Sequence, residues 1–285
     1  MTHQSIIRQA LTHTVDHIEF TNAKGHHSGK VRESFVLDDK KRAIVVTDRI
    51  SAFDFILGTV PFKGQVLNQI ASWWFEKLKD VVPHHFISSP DPNISLVKNA
   101  KPLPVEIIVR GYLTGTTKTS SWYAYQNLER KICGLTMPAG MVKNQKFPEP
   151  LITPTTKPEV GHDEPVSREE IVSRGLVPEN IWNQAEEYAM KMFLHGQRIA
   201  AERGLILVDT KYEMGIDEEG KLIVIDEVHT PDSSRYWKMD SYNQRLKNGE
   251  EPEALDKEFV RRMIVGKGYN VDDPNQNPSQ FLDDE

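Results

Sequence analysis

The chain has 285 residues, of which 38% are hydrophobic and 27% charged, enough to bury the core of one large or two closely packed domains. A formal net charge of −6 and a pI near 6.0 argue against a nucleic-acid or anionic-membrane partner, so any anion site must be local. Cys133 is the single cysteine, which excludes an internal disulfide or a cysteine metal cluster within the chain and fits a reducing, cytoplasmic setting.

The opening residues lack the apolar core of a signal peptide, and no run approaches the roughly 20 apolar residues of a membrane span. Ile6, Ile7, Leu11, Val15 and Ile18 recur at helical spacing and predict a leading helix within residues 1–19. The adjacent His26 and His27 lack a third nearby ligand and read as loop. From Gly25 the pattern turns to β, with strands near 31–37 and 43–47 about an Asp38-Asp39 turn. Gly25 and Gly29 let backbone amides approach a ligand, with Lys30 and Arg32 as nearby cations. The segment matches neither the P-loop nor the dinucleotide fingerprint.

Asp48, Arg49, Ser51 and Asp54 crowd a strand end where polar groups can face a cleft. Val66, Leu67, Ile70, Trp73, Trp74 and Leu78 then mark an amphipathic helix whose aromatics read as packing residues. Val105–Val109 is an apolar strand interrupted by Glu106 and ending at Arg110, just before a Gly- and Thr-rich loop. An arginine delivered there can grip a phosphate or carboxylate with its planar fork. Six of the chain's 17 prolines fall between Pro138 and Pro165, predicting a long connection with no helix or central strand. Lys157, His162 and Asp163 lie within it. Ser167 and Glu170 form a capping-box pattern, followed by a long helix closing near Gly204.

Two apolar runs, Leu205–Val208 and Leu222–Ile225, flank an acidic, glycine-containing segment and predict a hairpin turning at 217–220. That pairing sets Glu213 and Asp226 on adjacent strands, where their carboxylates can share one hard cation such as Mg²⁺. The long helix before it should back this hairpin. Asp209, Lys211, Glu227, Asp232 and Arg235 share the hairpin and its exit. LDKEFVRRMI at Leu255 predicts a helix closing the second lobe, and the polar stretch from Asn270 should fray.

TPDSSRYW at Thr230 and VDTKYEMG at Val208 resemble signatures of the phosphoribosylaminoimidazole-succinocarboxamide (SAICAR) synthase family. The resemblance continues through GKVRESF at Gly29, VTDRISAFD at Val46, KGQVLNQIASWWF at Lys63, VEIIVRGYLTG at Val105 and GHDEPVS at Gly161, in the family's order. It implies that Gly29, Lys30, Val31 and Arg32 cover the ATP phosphates, with Glu106 also on the ATP side and the linker Lys101–Pro104 reaching adenine. It implies Asp48, Arg49 and Ser51 near the imidazole nucleotide, and Arg110 with Thr116 on that substrate's phosphate. Asp163, Asp232, Ser234 and Arg235 complete the implied substrate set, and Lys211, Asp209 and Lys157 the catalytic one. At Thr117–Ser121, TKTSS replaces the family's short Gly/Ala/Trp continuation.

The expected fold is α+β in two lobes: a mainly antiparallel sheet lobe over 1–104, a larger mixed lobe over 105–285, and ATP in a cleft between them. The expected activity is ATP-dependent ligation of L-aspartate to the carboxylate of carboxyaminoimidazole ribonucleotide (CAIR), with Mg²⁺, in a monomer or small homo-oligomer. A small-molecule kinase would share the glycine hairpin and acidic pair but needs a carboxylate base for a hydroxyl acceptor. A nucleotide-binding regulatory protein with a decayed site is opposed by intact Lys30, Glu213 and Asp226.

Overall fold

The computed structural model describes residues 3–116, 120–157, 164–271, 273 and 275–282. The chain divides into two compact units, the first comprising 1–76, 85–99 and 257–285 and the second 77–84 and 100–256. The expected contiguous division at 104/105 differs from this partition at 77–84, at 100–104 and at 257–285.

In the first unit, α1 (His3–Ala10) is shorter than the helix expected within 1–19. The reason lies at Val15, whose backbone N–H donates to Asp48 Oδ2 at 2.9 Å while its carbonyl accepts from the Asp48 amide at 2.7 Å. A residue so engaged has no backbone group left for a helix. Strands β1 (Gly25–Ser28), β2 (Arg32–Val36), β3 (Lys41–Val46), β4 (Arg49–Ala52) and β5 (Phe55–Thr59) follow, then α2 (Lys63–Leu78), β6 (Phe86–Asp91) and β7 (Ile94–Lys98). The antiparallel sheet runs β1-β2-β3-β7-β6, and β4 pairs β5 alone. The predicted hairpin is present as β2–β3, with Glu33 opposite Val45. His26 and His27, expected in a loop, lie on β1, where the His26 ring stacks on Phe35 with centroids 4.6 Å apart.

Helix α2 buries Leu67, Ala71, Trp74 and Phe75, and Phe75 stacks on Phe86 of β6. Val66 and Trp73 lie off this stripe, 50% and 40% exposed. The buried face of α2 is therefore narrower than the apolar pattern of the sequence: Val66 and Trp73, seven residues apart, form a separate outward ridge.

The second unit contains β8 (Ala100–Pro102), β9 (Val105–Tyr112), α3 (Ser121–Gln126), β10 (Lys131–Ile132), β11 (Leu135–Thr136), β12 (Lys146–Ile152) and β13 (Thr155–Thr156). Then come α4 (Arg168–Ser173), α5 (Glu179–Ala201), β14 (Leu205–Asp217), β15 (Leu222–Ile225), β16 (Ser234–Lys238) and α6 (Met239–Lys247). The proline-rich connection does harbour strands, but β12 lies at the sheet edge and its register slips between Lys146 and Leu151, where Pro148 and Pro150 sit. The capping box of α4 forms as read, Ser167 accepting from the Glu170 amide and Glu170 from the Ser167 amide.

Strand β14 organises this unit. Residues 209–212 pair with β9, 205–210 with β16, 213–216 with β15 and 215–217 with β8. Helix α5 packs on β14 with Trp182, Ala185, Ala189, Met192 and Phe193 fully buried.

The chain returns to the first unit with α7 (Glu258–Gly266). This helix was expected to close the second lobe. Instead Ile264, with Tyr269 beyond it, joins Ala52 and Leu57 in one apolar cluster, flanked by Val260 and Met263, and that burial decides which sheet the helix joins. Among the described residues, no helix is long and apolar enough to cross a membrane.

Candidate active site

The hairpin β14–β15 turns where the sequence predicts, with Gly220 N–H donating to Asp217 O and Asp217 N–H to Lys221 O. Glu213 faces Ile225 across the pair, so Asp226 follows at the strand end as a neighbour of Glu213. Lys211 and Glu213, two positions apart on one strand, project to the same side of the sheet. Lys211 Nζ lies 2.9 Å from Glu106 Oε1, 2.5 Å from Glu213 Oε1 and 4.0 Å from Asp226 Oδ2. Lys157 Nζ bonds the other Glu213 oxygen. Strand pairing accounts for the gathering, since Lys211 stands across from Ile108 on β9, two residues from Glu106.

Burial alone would push the Lys211 ammonium down, but Glu213, Glu106 and Asp226 hold it well above the usual lysine range. Burial likewise acts to raise Glu213, and Lys211 and Lys157 overcome it, leaving that carboxyl far below the ordinary range. Three carboxylates against two ammoniums leave one negative charge in excess at this face. Among the described residues no three His, Cys, Asp or Glu side chains are arranged to cage a metal. Glu213 and Asp226 instead present a two-carboxylate edge, suited to a hard cation that draws its remaining ligands from water or phosphate.

A second group lies two residues along β14. Asp209 stands opposite both Arg110 on β9 and Arg235 on β16. Its Oδ2 receives an Arg235 guanidinium nitrogen at 2.6 Å and lies 4.0 Å from one of Arg110. Arg110 Nε also donates to Thr153 Oγ1 at 2.8 Å. Gly115, at φ +105°, brings the loop of Thr116 against Arg235: a Cβ there would come within 3.4 Å of the guanidinium and 2.4 Å of Ser120 Cβ. Ser234 Oγ lies 2.8 Å from Thr210 Oγ1, and the Asp232 amide donates to Thr230 Oγ1 at 3.2 Å. Thr230 bonds Glu227 at 2.5 Å, which shapes the turn carrying Asp232.

In the first unit, Gly29–Arg32 forms the turn between β1 and β2, closed by Gly29 N–H donating to Arg32 O at 2.8 Å. Lys30 bonds Asp54. Asp48 divides its carboxylate between the Val15 and Gly64 amides, both at 2.9 Å. Arg49 is also engaged internally, with Glu33 and with carbonyls of Asp16, Gly29 and Lys30. Ser51 is buried on β4. His162, Asp163 and residues 117–119 lie outside the described residues.

Sequence reasoning missed Glu33, Thr153 and His229. Glu33 has the parity of buried Phe35 on β2, and an acid at an inward strand position signals a buried partner. His229 is fully buried, its Nε2 2.5 Å from the Tyr212 hydroxyl, and burial pushes it down to about 3; nothing in its sequence neighbourhood marks that.

The family model SAICAR synthetase matches residues 25–277. A putative phosphoribosylaminoimidazole-succinocarboxamide synthase 2 of Agrobacterium fabrum is 52% identical over 240 residues, covering 84% of this chain and 76% of that protein. A phosphoribosylaminoimidazole-succinocarboxamide synthase of Legionella pneumophila is 50% identical over 239 residues, with the same coverage of 84% and 76%. Among solved structures, a SAICAR synthase of Saccharomyces cerevisiae complexed with SAICAR superposes with a TM-score of 0.77 at 32% identity, covering 94% of this chain and 92% of that one. With its ordered motifs, its mixed antiparallel architecture and these matches, the chain belongs to the SAICAR synthetase family.

Proposed function

We propose that this chain joins the carboxylate of CAIR to the amine of L-aspartate at the expense of ATP, forming SAICAR, ADP and phosphate in purine biosynthesis. Family membership supports the reaction, and the observation that carries it is the Lys211 ammonium seated against Glu106, Glu213 and Asp226, beside the Arg110–Asp209–Arg235 row. A carboxylate resists attack by an amine because its oxygen leaves poorly. Phosphorylating that oxygen supplies a leaving group, and such a transfer depends on positioning and charge neutralisation. No nucleophilic Ser or Cys is then required. The residues gathered here are of the kinds such a transfer uses.

In this reading Lys211 and Lys157 stabilise charge on the transferred phosphoryl group. Glu106 sets the position of Lys211 through its 2.9 Å bond. Lys30 and the backbone of Gly29, Val31 and Arg32 receive the ATP phosphates. Arg110 and Arg235 take the nucleotide phosphate with Thr116. They are joined on that substrate by Asp232 and Ser234, and the resemblance alone adds Ser51 and Asp163 to the same role. Asp209, grouped at first with the catalytic lysines, spends its carboxylate on the arginines, so its proposed role is to orient them. Glu213 and Asp226 would hold Mg²⁺, which supplies neutralising charge to the ATP phosphates; the excess negative charge and oxygen donors of this edge suit it. A cytoplasmic setting suits an ATP-consuming step and a chain with one thiol.

A coupled assay of ADP release, leaving out each substrate in turn, tests the reading. Sustained ADP turnover should require CAIR and aspartate together. Turnover beyond one ADP per site without aspartate would indicate a kinase, and turnover without CAIR a simple ATPase.

A further inference from the structure

The carboxylate of Glu33, the second residue of β2, is fully buried, and four groups converge on it. Ser28 Oγ donates to Oε1 at 3.0 Å, an Arg49 guanidinium nitrogen approaches the same oxygen at 2.7 Å, His26 Nε2 lies 2.7 Å from Oε2, and His17 Nδ1 stands 3.8 Å from Oε1. The guanidinium so fixed has three further bonds, every one to a backbone carbonyl: Nε to Lys30 O at 3.0 Å and the two terminal nitrogens to Gly29 O at 2.9 Å and Asp16 O at 2.8 Å. Arg49 therefore grips two successive carbonyls of the glycine turn.

In a trans peptide the carbonyl and the following N–H point in opposite directions. Drawing the Gly29 and Lys30 carbonyls inward onto Arg49 must direct the Lys30 and Val31 amides outward, side by side. The next carbonyl is held from the same side, Val31 O accepting from the Thr47 amide at 3.0 Å and from Thr47 Oγ1 at 2.9 Å. Adjacent amides aimed at one point form an anion-binding concavity.

We propose that Arg49, locked by Glu33, is a positioning residue: it sets the Lys30 and Val31 amides as a preformed receptor for a nucleotide phosphate. This rests on the reading that the turn receives the ATP phosphates. It assigns Arg49 to the turn and away from the second substrate, and gives Glu33 a role that its sequence position does not announce. The effect belongs to phosphate binding alone, because neither side chain is required to touch the nucleoside.

The test has two arms. In the wild type, amide hydrogen exchange at Lys30 and Val31 is followed with adenosine and with ADP; protection by ADP beyond that by adenosine is expected. Failure here overturns the phosphate reading of the turn and the proposal with it. In Arg49→Lys, Glu33→Gln and the milder Ser28→Ala, affinities for ADP and adenosine are measured on protein with native circular dichroism. ADP affinity should fall about tenfold in Arg49→Lys and Glu33→Gln and less in Ser28→Ala, while adenosine affinity and the KM for CAIR stay within about twofold. Unchanged ADP affinity in the folded variants, or a rise in the KM for CAIR in place of that for ATP, would refute the positioning role while leaving the wild-type result standing. If the two stronger variants do not fold, Ser28→Ala alone decides through the ADP-to-adenosine ratio.

Discussion

Asp209 and Arg235 face each other across the β14–β16 pair, joined by a 2.6 Å contact between a buried carboxylate and a partly buried guanidinium. Arg110 flanks the same carboxylate from the opposite strand, so one acid orients two guanidinium forks from the two sides of a central strand. Lysine at either arginine would keep the charge and lose the planar pair of donors. We expect Arg110→Lys and Arg235→Lys each to raise the KM for CAIR about tenfold or more while that for ATP changes by less than about twofold. Equal effects on both KM values would remove these arginines from the nucleotide phosphate.

Glu213 and Asp226 differ in burial. The Glu213 side chain, bonded by two lysines, is 13% exposed, and that of Asp226 is 23% exposed. Asp226→Asn should therefore lower turnover about a hundredfold or more and leave the melting temperature within about 2 °C of wild type. Glu213→Gln should lose turnover and also a few kcal/mol of stability, roughly the cost of breaking a partly buried ion pair. Near-normal activity of both variants at saturating Mg²⁺ would dispose of the metal edge.

His229 supplies a pH dependence. Its folded value of about 3 lies below the ordinary 6.5 because burial disfavours the charged ring. The unfolded chain takes up a proton below 6.5 that the folded chain refuses, so this stabilisation is complete above 6.5 and declines as the pH falls toward 3. Between pH 6.5 and 5 the wild type should lose about 2 kcal/mol through this group, at about 1.4 kcal/mol per pH unit. His229→Asn, a residue that tolerates the local φ of 54°, should show a shallower decline in urea unfolding over that range. Parallel curves would mean that His229 titrates normally in the folded protein.

Gly196 lies in α5 directly against that ring, and a Cβ there would fall 2.3 Å from His229 Cε1 and 2.9 Å from Leu207 Cδ2. Alanine is the better helix former by about 1 kcal/mol, so propensity alone predicts stabilisation by Gly196→Ala. We expect the clash to win, with a net loss of about 1–3 kcal/mol. Combined with His229→Asn, the loss should be smaller than the sum of the two single effects. Denaturant midpoints of the three proteins decide it.

The β14–β15 hairpin was legible because its information is local. Two apolar runs and a glycine turn fix the register, and the register alone makes Glu213 and Asp226 neighbours. The same holds for Ser167 and Glu170, whose reciprocal bonds span three residues. What escaped reading depends on distant partners. A cation at the strand end of Arg49 is free to reach outward, and its bonds to the Gly29 and Lys30 carbonyls become intelligible only with the buried Glu33 beside it. The amphipathic pattern of α7 announces a helix with an apolar face but does not say which sheet will cover it. Asp209 could be seen to be important and not why, since its two arginines are 99 residues before and 26 after it.

The edge strand β12 carries Pro148 and Pro150 within a register slip. A proline has no N–H to offer, and a slipped register breaks the even row of donors and acceptors that an incoming strand would need. The rim of this sheet is thereby a poor template for strand addition, so the segment that interrupts regular structure also guards concentrated or partly unfolded chains against pairing through this edge.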